Sequence, residues 1–324
     1  MKELVTSSER KTILLSKRAN LYYLEKCRVL EKDGRVLYLT EDRKECEYYN
    51  IPIANTTVLL LGMGTSITQR AVRSLVQAGV MIGFCGTGGT PLFAGTEAVW
   101  RSPQSEYRPT QYVQGWLSFW YDDAKRLEAA RILERARIRF LQEVWNKESE
   151  LQEAGFYPDD AEIQHACDAC ETGICKAGNG TDILVAEARF AKSLYHYAAE
   201  RTEMSGFSRD FDGGDETNRL LNHGNYLAYG LGASALWVLG IPHGFPLLHG
   251  KTRRGALVFD IADLVKDTLV LPFAFICADA YTHEEFREHC LEMFARYHAI
   301  DFMIDTIKDI LHQLQRKEEG GASS

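Results

Sequence analysis

Short apolar runs, each bounded by turn-forming residues, fill the first hundred positions of the chain. They are rich in β-branched, leucine and tyrosine side chains, and breaks such as Asp33-Gly34 and Ile51-Pro52 separate them. This pattern is typical of short strands. The expected strands cover residues 12–16, 21–24, 36–40 and 57–61. The pattern therefore predicts a small, sandwich-like β-rich domain over residues 1–100.

Helical periodicity takes over after residue 110. Residues 98–109 lose periodicity and gain proline, serine and charge, which indicates a linker at 101–110. A long helix is expected from residue 112 to about 148, with an aromatic stripe at helical spacing that predicts core packing. Another helix is expected over 181–202, and the helical domain spans 111–316 before a disordered tail at 317–324. The predicted fold is α+β, with a larger all-α C-terminal domain.

One segment of the first domain reads as strand, glycine turn, helix and strand. Ser66 with Gln69 predicts a capping box for this helix. Gly62 and Gly64 could open a dinucleotide fingerprint, but Ile67 stands at the third glycine position and no acid follows the second strand. A tight turn before a packing helix is favoured. A nicotinamide-dependent oxidoreductase stays an alternative.

Composition narrows the class of protein. The chain has 324 residues and a formal net charge of -8, which disfavours a nucleic-acid partner without excluding it, because local basic strips occur. The sequence has no apolar run of roughly 18 residues or more and begins with a polar segment, so neither a membrane span nor a signal peptide is expected. The 8 scattered cysteines fit reduced thiols in a cytoplasm.

A histidine, a basic cluster and a set of acids follow one another late in the chain. His249 precedes three cations, and after an apolar run Asp260, Asp263 and Asp267 stand at i, i+3 and i+7. If this segment is helical, the acids share one face. Carboxylates with one imidazole suit Mg²⁺ or Mn²⁺, and neighbouring cations suit a phosphate backbone. A solvated acidic face is the alternative. The candidate phosphate contacts are Lys251, Arg253, Arg254 and Lys266.

Other candidate ligands are weaker on sequence grounds. Glu187 lies within the apolar band of the 181–202 helix, where an acid either faces solvent or reaches a ligand. His223 and His243 rival His249, but neither has a matched carboxylate nearby in sequence. A third possibility is that His165, Cys167, Cys170 and Cys175 bind zinc. The spacing of these residues is irregular for a zinc site, so the favoured interpretation is that the cysteines are incidental in a segment that connects two helices. That possibility corresponds to a non-catalytic, zinc-stabilised nucleic-acid-binding scaffold.

Several stretches together resemble one family. They are KRANLYYL, IPIANTTVLLLGMGTSIT, SEYRPT, EARFAKSLY, NRLLNHGNYLAYG and GIPHGFPLLHGKTRRGALVFDIADLVKD, and they run nearly the full length of the chain. The chain resembles the integrase subunit of CRISPR adaptation, CRISPR-associated protein one, closest to its subtype I-F branch. The resemblance implies an N-terminal β-rich dimerisation domain, an all-helical catalytic domain and a homodimer. It also implies a second CRISPR adaptation protein, fused to the helicase–nuclease, as partner.

The resemblance also implies a function and a site. The family's metal ligands fall on Glu187, His249 and Asp263, and a further family aspartate falls on Asp260 beside the metal. The implied activity is that of a metal-dependent DNA endonuclease and integrase using Mg²⁺ or Mn²⁺. It would insert protospacer fragments at the CRISPR repeat by 3′-hydroxyl transesterification, in antiviral defence.

Overall fold

A strand-rich region is followed by a helical region, so the fold is α+β. The computed structural model describes residues 20–40, 48–86, 92–93, 96–97, 99–101, 110–204, 206–211, 214–250 and 255–321. The chain divides into two compact units, Met1–Arg108 and Pro109–Ser324.

The described part of the first unit contains two four-stranded sheets and a separate pair of short strands. In one sheet the order is β1-β5-β7-β10, with β1, β5 and β7 parallel and β10 antiparallel to β7. In the other the order is β4-β3-β2-β6, and β8 pairs with β9 alone. The strands are β1 (Asn20–Leu24), β2 (Cys27–Lys32), β3 (Arg35–Thr40), β4 (Tyr48–Ile51), β5 (Thr56–Leu61), β6 (Ser66–Ile67), β7 (Met81–Phe84), β8 (Leu92–Phe93), β9 (Thr96–Glu97) and β10 (Val99–Arg101).

The glycine turn of the first unit packs tightly against the chain. A Cβ atom on Gly62 would overlap the Tyr23 hydroxyl, so the backbone here already lies against a protein side chain. The following helix α1 (Gln69–Gln77) is capped by Thr68, whose hydroxyl accepts from the backbone N–H of Ala71. The predicted Ser66 capping box is therefore wrong, because Ser66 lies in β6. Of the expected strands, three fall within β1, β3 and β5, and residues 12–16 lie outside the described residues.

The second unit is a stack of helices. Its elements are α2 (Thr110–Trp120), α3 (Asp123–Trp145), α4 (Ser149–Glu153), α5 (Ala161–Lys176), α6 (Gly180–Arg201), α7 (Glu216–Leu239), α8 (Ala256–Val265), a π-helical turn (Lys266–Val270), α9 (Leu271–Ile276), α10 (His283–Arg296) and α11 (Ala299–Gly321). None of the helices in the described ranges is both long enough and apolar enough to cross a bilayer.

Helix boundaries differ from the sequence prediction at three places. The single helix expected over 112–148 is broken because the Asp122 side chain accepts from the N–H groups of Ala124 and Lys125, which caps a new helix. The cysteine-rich segment is not a connection but lies within α5. Helix α11 continues to Gly321, into the segment expected to be a disordered tail.

Small residues let α7 approach α8 closely. A Cβ atom on Gly232 would lie 3.1 Å from the carbonyl oxygen of Val258 and 3.4 Å from the backbone nitrogen of Ala262. About two turns earlier on α7, Gly224 faces Val270 and Phe286 at a distance that leaves no room for a methyl group. The close approach fixes α8, and with it the two aspartates that α8 carries, against the core.

Candidate active site

Five segments of the helical unit bring charged side chains into one buried region. Helix α3 supplies Glu134 and Arg137, and α6 supplies Glu187. The loop after α7 supplies His249. The remaining groups follow one another in sequence on α8 and the π-helical turn, and they are Asp260, Asp263, Lys266 and Asp267.

Asp260 is the acceptor that organises the loop carrying His249. One carboxylate oxygen accepts from the backbone N–H of Leu247 at 2.6 Å and of Leu248 at 3.3 Å. The other accepts from the backbone N–H of His249 at 3.1 Å and lies 2.7 Å from its Nδ1. A carboxylate can only accept, so Nδ1 carries the proton and, in the neutral ring, Nε2 presents its lone pair. This is the arrangement that a metal-binding imidazole uses.

Nε2 of His249 points towards Asp263. It lies 4.0 Å from Oδ2 of Asp263, while the other Asp263 oxygen forms an ion pair with the ammonium of Lys266. Lys266 also lies over the ring of Tyr229, 5.2 Å from its centroid. The predicted phosphate contact Lys266 is therefore paired with an acid of the site, and Lys251, Arg253 and Arg254 lie outside the described residues.

Glu187 is held by an arginine that sequence reasoning missed. Nη1 of Arg137 donates to Oε1 of Glu187 at 3.0 Å and to Oε2 of Glu134 at 3.2 Å. The opposite edge of the same guanidinium donates to Asp267, with Nε 2.8 Å from Oδ2. A glutamate and an arginine at i, i+3 on the buried face of α3 were the signal available in the sequence, since buried charges are almost always paired.

The three aspartates are not a solvated acidic face. Asp260, Asp263 and Asp267 are only 1%, 4% and 5% exposed, so that alternative is wrong. They also have different partners: the loop, the Lys266 ammonium and the Arg137 guanidinium. Asp267 lies on the π-helical turn, which holds more residues per turn than the α-helix that carries Asp260 and Asp263.

The site is an electrostatic cluster in which burial and charge oppose each other. Burial raises the pKa of Glu187 and raises that of Glu134 to about 8, although Arg137 acts in the other direction on both carboxyls. Burial would also raise the pKa of Asp263, but Lys266, Arg137 and His249 together outweigh it and the pKa is lowered. Burial lowers the pKa of His249, but the hydrogen bond with Asp260 and the nearby acids dominate and raise it.

Two tryptophans fix the start of the loop that carries His249. The indole N–H of Trp116 donates to the carbonyl of Phe245 at 3.1 Å, and that of Trp120 donates to the carbonyl of Pro246 at 2.7 Å. Trp116 is fully buried, as the aromatic stripe predicts. A cavity of about 520 Å³, lined by this loop, the start of α3 and the start of α6, opens beside His249.

The other candidate ligand groups are distributed elsewhere. In α5, Cys167 and Cys170 are buried, whereas Cys175 is exposed and its sulfur accepts a hydrogen bond from the guanidinium of Arg135. His223 faces the ring of His283 at 5.8 Å, and the backbone carbonyl of His243 accepts from Leu257 at 3.1 Å.

A second acid–histidine group, with ligand atoms close enough together for a metal ion, lies where α5 and α6 meet the surface. The ligand atoms of Glu162, His196 and Glu200 lie within 4.8 Å of one another. His196 and Glu200 are largely exposed, with side chains 67% and 58% accessible. This group is therefore more exposed than His249, whose imidazole is supported by its hydrogen bond with Asp260.

Fold and site together define the class: an α+β protein whose helical unit holds a buried carboxylate–histidine centre. The family described as CRISPR associated protein Cas1 matches residues 21–297. The chain belongs to the Cas1 family, and the family resemblance seen in the sequence is confirmed. It is 53% identical over 313 residues to a CRISPR-associated endonuclease Cas1 of Pseudomonas aeruginosa, covering 94% of this chain and 97% of that one. It is 51% identical over 316 residues to the protein of that name from Pectobacterium atrosepticum, covering 95% and 97%.

Solved structures show the same fold at low identity. A CAS1 protein from Thermotoga maritima matches with a TM-score of 0.61 and 16% identity, covering 92% of this chain and 96% of that one. A casposase bound to its integration product matches with a TM-score of 0.61 and 14% identity, covering 86% and 82%. A partial Cas6-RT-Cas1–Cas2 complex matches with a TM-score of 0.55 and 12% identity, covering 92% and 96%.

Proposed function

We propose that this chain is a metal-dependent DNA endonuclease and integrase that inserts new spacer DNA into a CRISPR array by 3′-hydroxyl transesterification. The observation that carries the proposal is the carboxylate–imidazole pair of Asp260 and His249, which directs Nε2 towards Asp263. The names of the two relatives, both CRISPR-associated endonucleases, support the nuclease class, and the casposase supports the joining of DNA ends.

The donor set fits a hard divalent cation. Glu187, His249 and Asp263 would hold Mg²⁺ or Mn²⁺, because two carboxylates and one imidazole match those ions better than a thiolate-rich zinc site. The site is also rich in carboxyl groups: among the described residues, Arg137 pairs with Glu134, Glu187 and Asp267, and Lys266 pairs with Asp263. When bound, the metal would act as a Lewis acid on phosphate oxygens and lower the pKa of the attacking hydroxyl.

The side chains around the donors have separate roles in this proposal. Asp260 holds the His249 tautomer and the loop that carries it, so it acts by positioning. Lys266 places a positive charge beside Asp263, where it can pair with a phosphate oxygen of DNA. Lys251, Arg253 and Arg254 follow His249 directly in sequence and are proposed to bind the DNA backbone.

The partners are proposed from the family. The chain acts as a homodimer through its β-rich unit and assembles with the second CRISPR adaptation protein, here fused to the helicase–nuclease. The Cas1–Cas2 complex among the fold relatives supports a partner of that kind. The DNA partners are protospacer fragments and the CRISPR repeat, and the chain works in the cytoplasm.

A strand-transfer assay tests the function. A labelled short duplex with free 3′-hydroxyls is incubated with a repeat-containing plasmid, the partner protein and Mn²⁺ or Mg²⁺. We expect a labelled, plasmid-sized product that needs the metal and disappears in His249→Ala and Asp263→Asn.

His196→Ala is the matched control, since it removes a histidine from the other acid–histidine group. It should retain wild-type joining. If His196→Ala abolishes the product while His249→Ala does not, the site is assigned to the wrong group.

A further inference from the structure

We infer that Arg137 is the positioning residue of the metal centre and that it holds the carboxylate of Glu187 in its metal-binding orientation. The inference rests on the proposed function and extends it to a residue outside the ligand set. Arg137 is 2% exposed and is bonded to acids from three different elements, α3, α6 and the π-helical turn.

The guanidinium divides its donors between two edges. Nε and Nη2 both donate to Oδ2 of Asp267, which fixes the plane of the group from one edge. Nη1, on the other edge, bonds Oε1 of Glu187. This bond uses only Oε1 of Glu187. The carboxylate is therefore oriented, and its other oxygen, Oε2, is left to bind the metal.

Packing fixes the same orientation. The central carbon of the Arg137 guanidinium lies 6.0 Å from the ring centroid of Phe190, a buried residue one turn beyond Glu187 on α6. Glu134 also accepts from Nη1 at 3.2 Å, so the bonding edge cannot turn away from Glu187 without losing a second bond. The arginine is therefore held from α3, α6 and the π-helical turn at once.

A lysine could not do the same work. An ammonium is a point charge on a flexible stem, whereas the planar guanidinium bonds two separate acids at fixed angles. Replacing Arg137 by lysine keeps the positive charge among the buried carboxylates but removes the simultaneous bonds to Asp267 and Glu187. This substitution therefore separates orientation from charge.

The experiment measures Mn²⁺ binding to the full chain by the loss of the free-ion electron paramagnetic resonance signal. For Arg137→Lys we expect about 10- to 100-fold weaker binding, the range found when groups supporting metal ligands are changed. The Mn²⁺ concentration for half-maximal strand transfer should rise by a similar factor, while the rate at saturating Mn²⁺ stays within a few-fold of wild type. Arg296→Lys is the matched control, because Arg296, on α10, pairs with the buried Glu148 that caps α4.

A second variant guards against misfolding. Asp267→Asn leaves Arg137 in place but weakens its anchor, so it should also weaken Mn²⁺ binding although Asp267 is not a proposed ligand. If both folded variants bind Mn²⁺ as tightly as wild type, or if Arg296→Lys weakens binding equally, the positioning role is wrong. A wild-type chain that binds no Mn²⁺ would overturn the proposed function as well, which distinguishes the two failures.

Discussion

Asp260→Asn tests the reasoning about the His249 loop most directly, because the change is almost isosteric. The carboxylate accepts four hydrogen bonds, two at each oxygen. An amide keeps one acceptor oxygen and turns two N–H donors towards the other pair of protein donors. If the amide NH₂ faces His249, Nδ1 must become the acceptor and Nε2 takes the proton. If it faces Leu247 and Leu248, the loop loses its anchor.

The expected cost follows from the bonds lost. Each hydrogen bond to a charged partner is worth about 1.5–3 kcal/mol, so losing two costs roughly 3–6 kcal/mol before the loop relaxes. We expect the free energy of unfolding to fall by about 3 kcal/mol, at the lower end of that range. In a domain of this size the melting temperature should then fall by about 6–12 °C. Mn²⁺ binding should weaken by about 10- to 100-fold, because the support of a metal-binding imidazole is removed.

The assay pairs thermal melting without metal with an Mn²⁺ titration. Glu148→Gln is the control, since Glu148 is also a buried carboxylate and accepts from Arg296 at 3.0 Å and Tyr297 at 2.8 Å, outside the His249 loop. It should lose stability and keep its affinity for Mn²⁺. An Asp260→Asn variant that melts within about 1 °C of wild type and binds Mn²⁺ equally well would refute the role assigned to Asp260.

Three further predictions concern other parts of the chain. Because burial, against the opposing effect of Arg137, raises the pKa of Glu134 from 4.5 to about 8, the folded metal-free chain holds a proton that the unfolded chain releases. The free energy of unfolding should therefore fall as the pH rises from about 4.5 to 8, by up to about 1.4 kcal/mol per pH unit. In Glu134→Gln, the free energy of unfolding measured by urea denaturation should depend less steeply on pH. Gly224→Ala places a methyl group against Val270 and should cost about 1–3 kcal/mol in the same denaturation assay, whereas Gly244→Ala, with open space, should be near neutral. In the described part of the chain, the His, Cys, Asp and Glu side chains that come close enough together to share a metal include no cysteine, so metal analysis of the purified chain should find no zinc that depends on Cys170; zinc that is lost on Cys170→Ser would contradict this.

The sequence predicts the fold well where local patterns decide it. Short apolar runs place β1, β3 and β5, and helical periodicity places α6 within a residue of its ends. The break between α2 and α3 is missed because Asp122 can cap a helix only if the chain bends there, and the bend depends on tertiary packing.

In the site, too, the sequence predicts the local features and misses the contacts between residues that are far apart along the chain. The spacing of Asp260 and Asp263 is local, and the sequence indicates it. The partnership of Arg137 with Asp267 is not, because 130 positions separate the two residues. The π-helical turn that carries Asp267 has no signature that periodicity detects, since the chain on both sides of it is apolar and helical.

Loops usually exchange their amide hydrogens quickly, because their N–H groups meet water. The N–H groups of Leu247, Leu248 and His249 are instead all bonded to a carboxylate buried on α8. Exchange at these three positions requires the bonds to Asp260 to break, so we expect it to be slower than is usual for a loop. The three positions should also exchange together, because they share one acceptor group, and Asp260→Asn should speed the exchange at all of them.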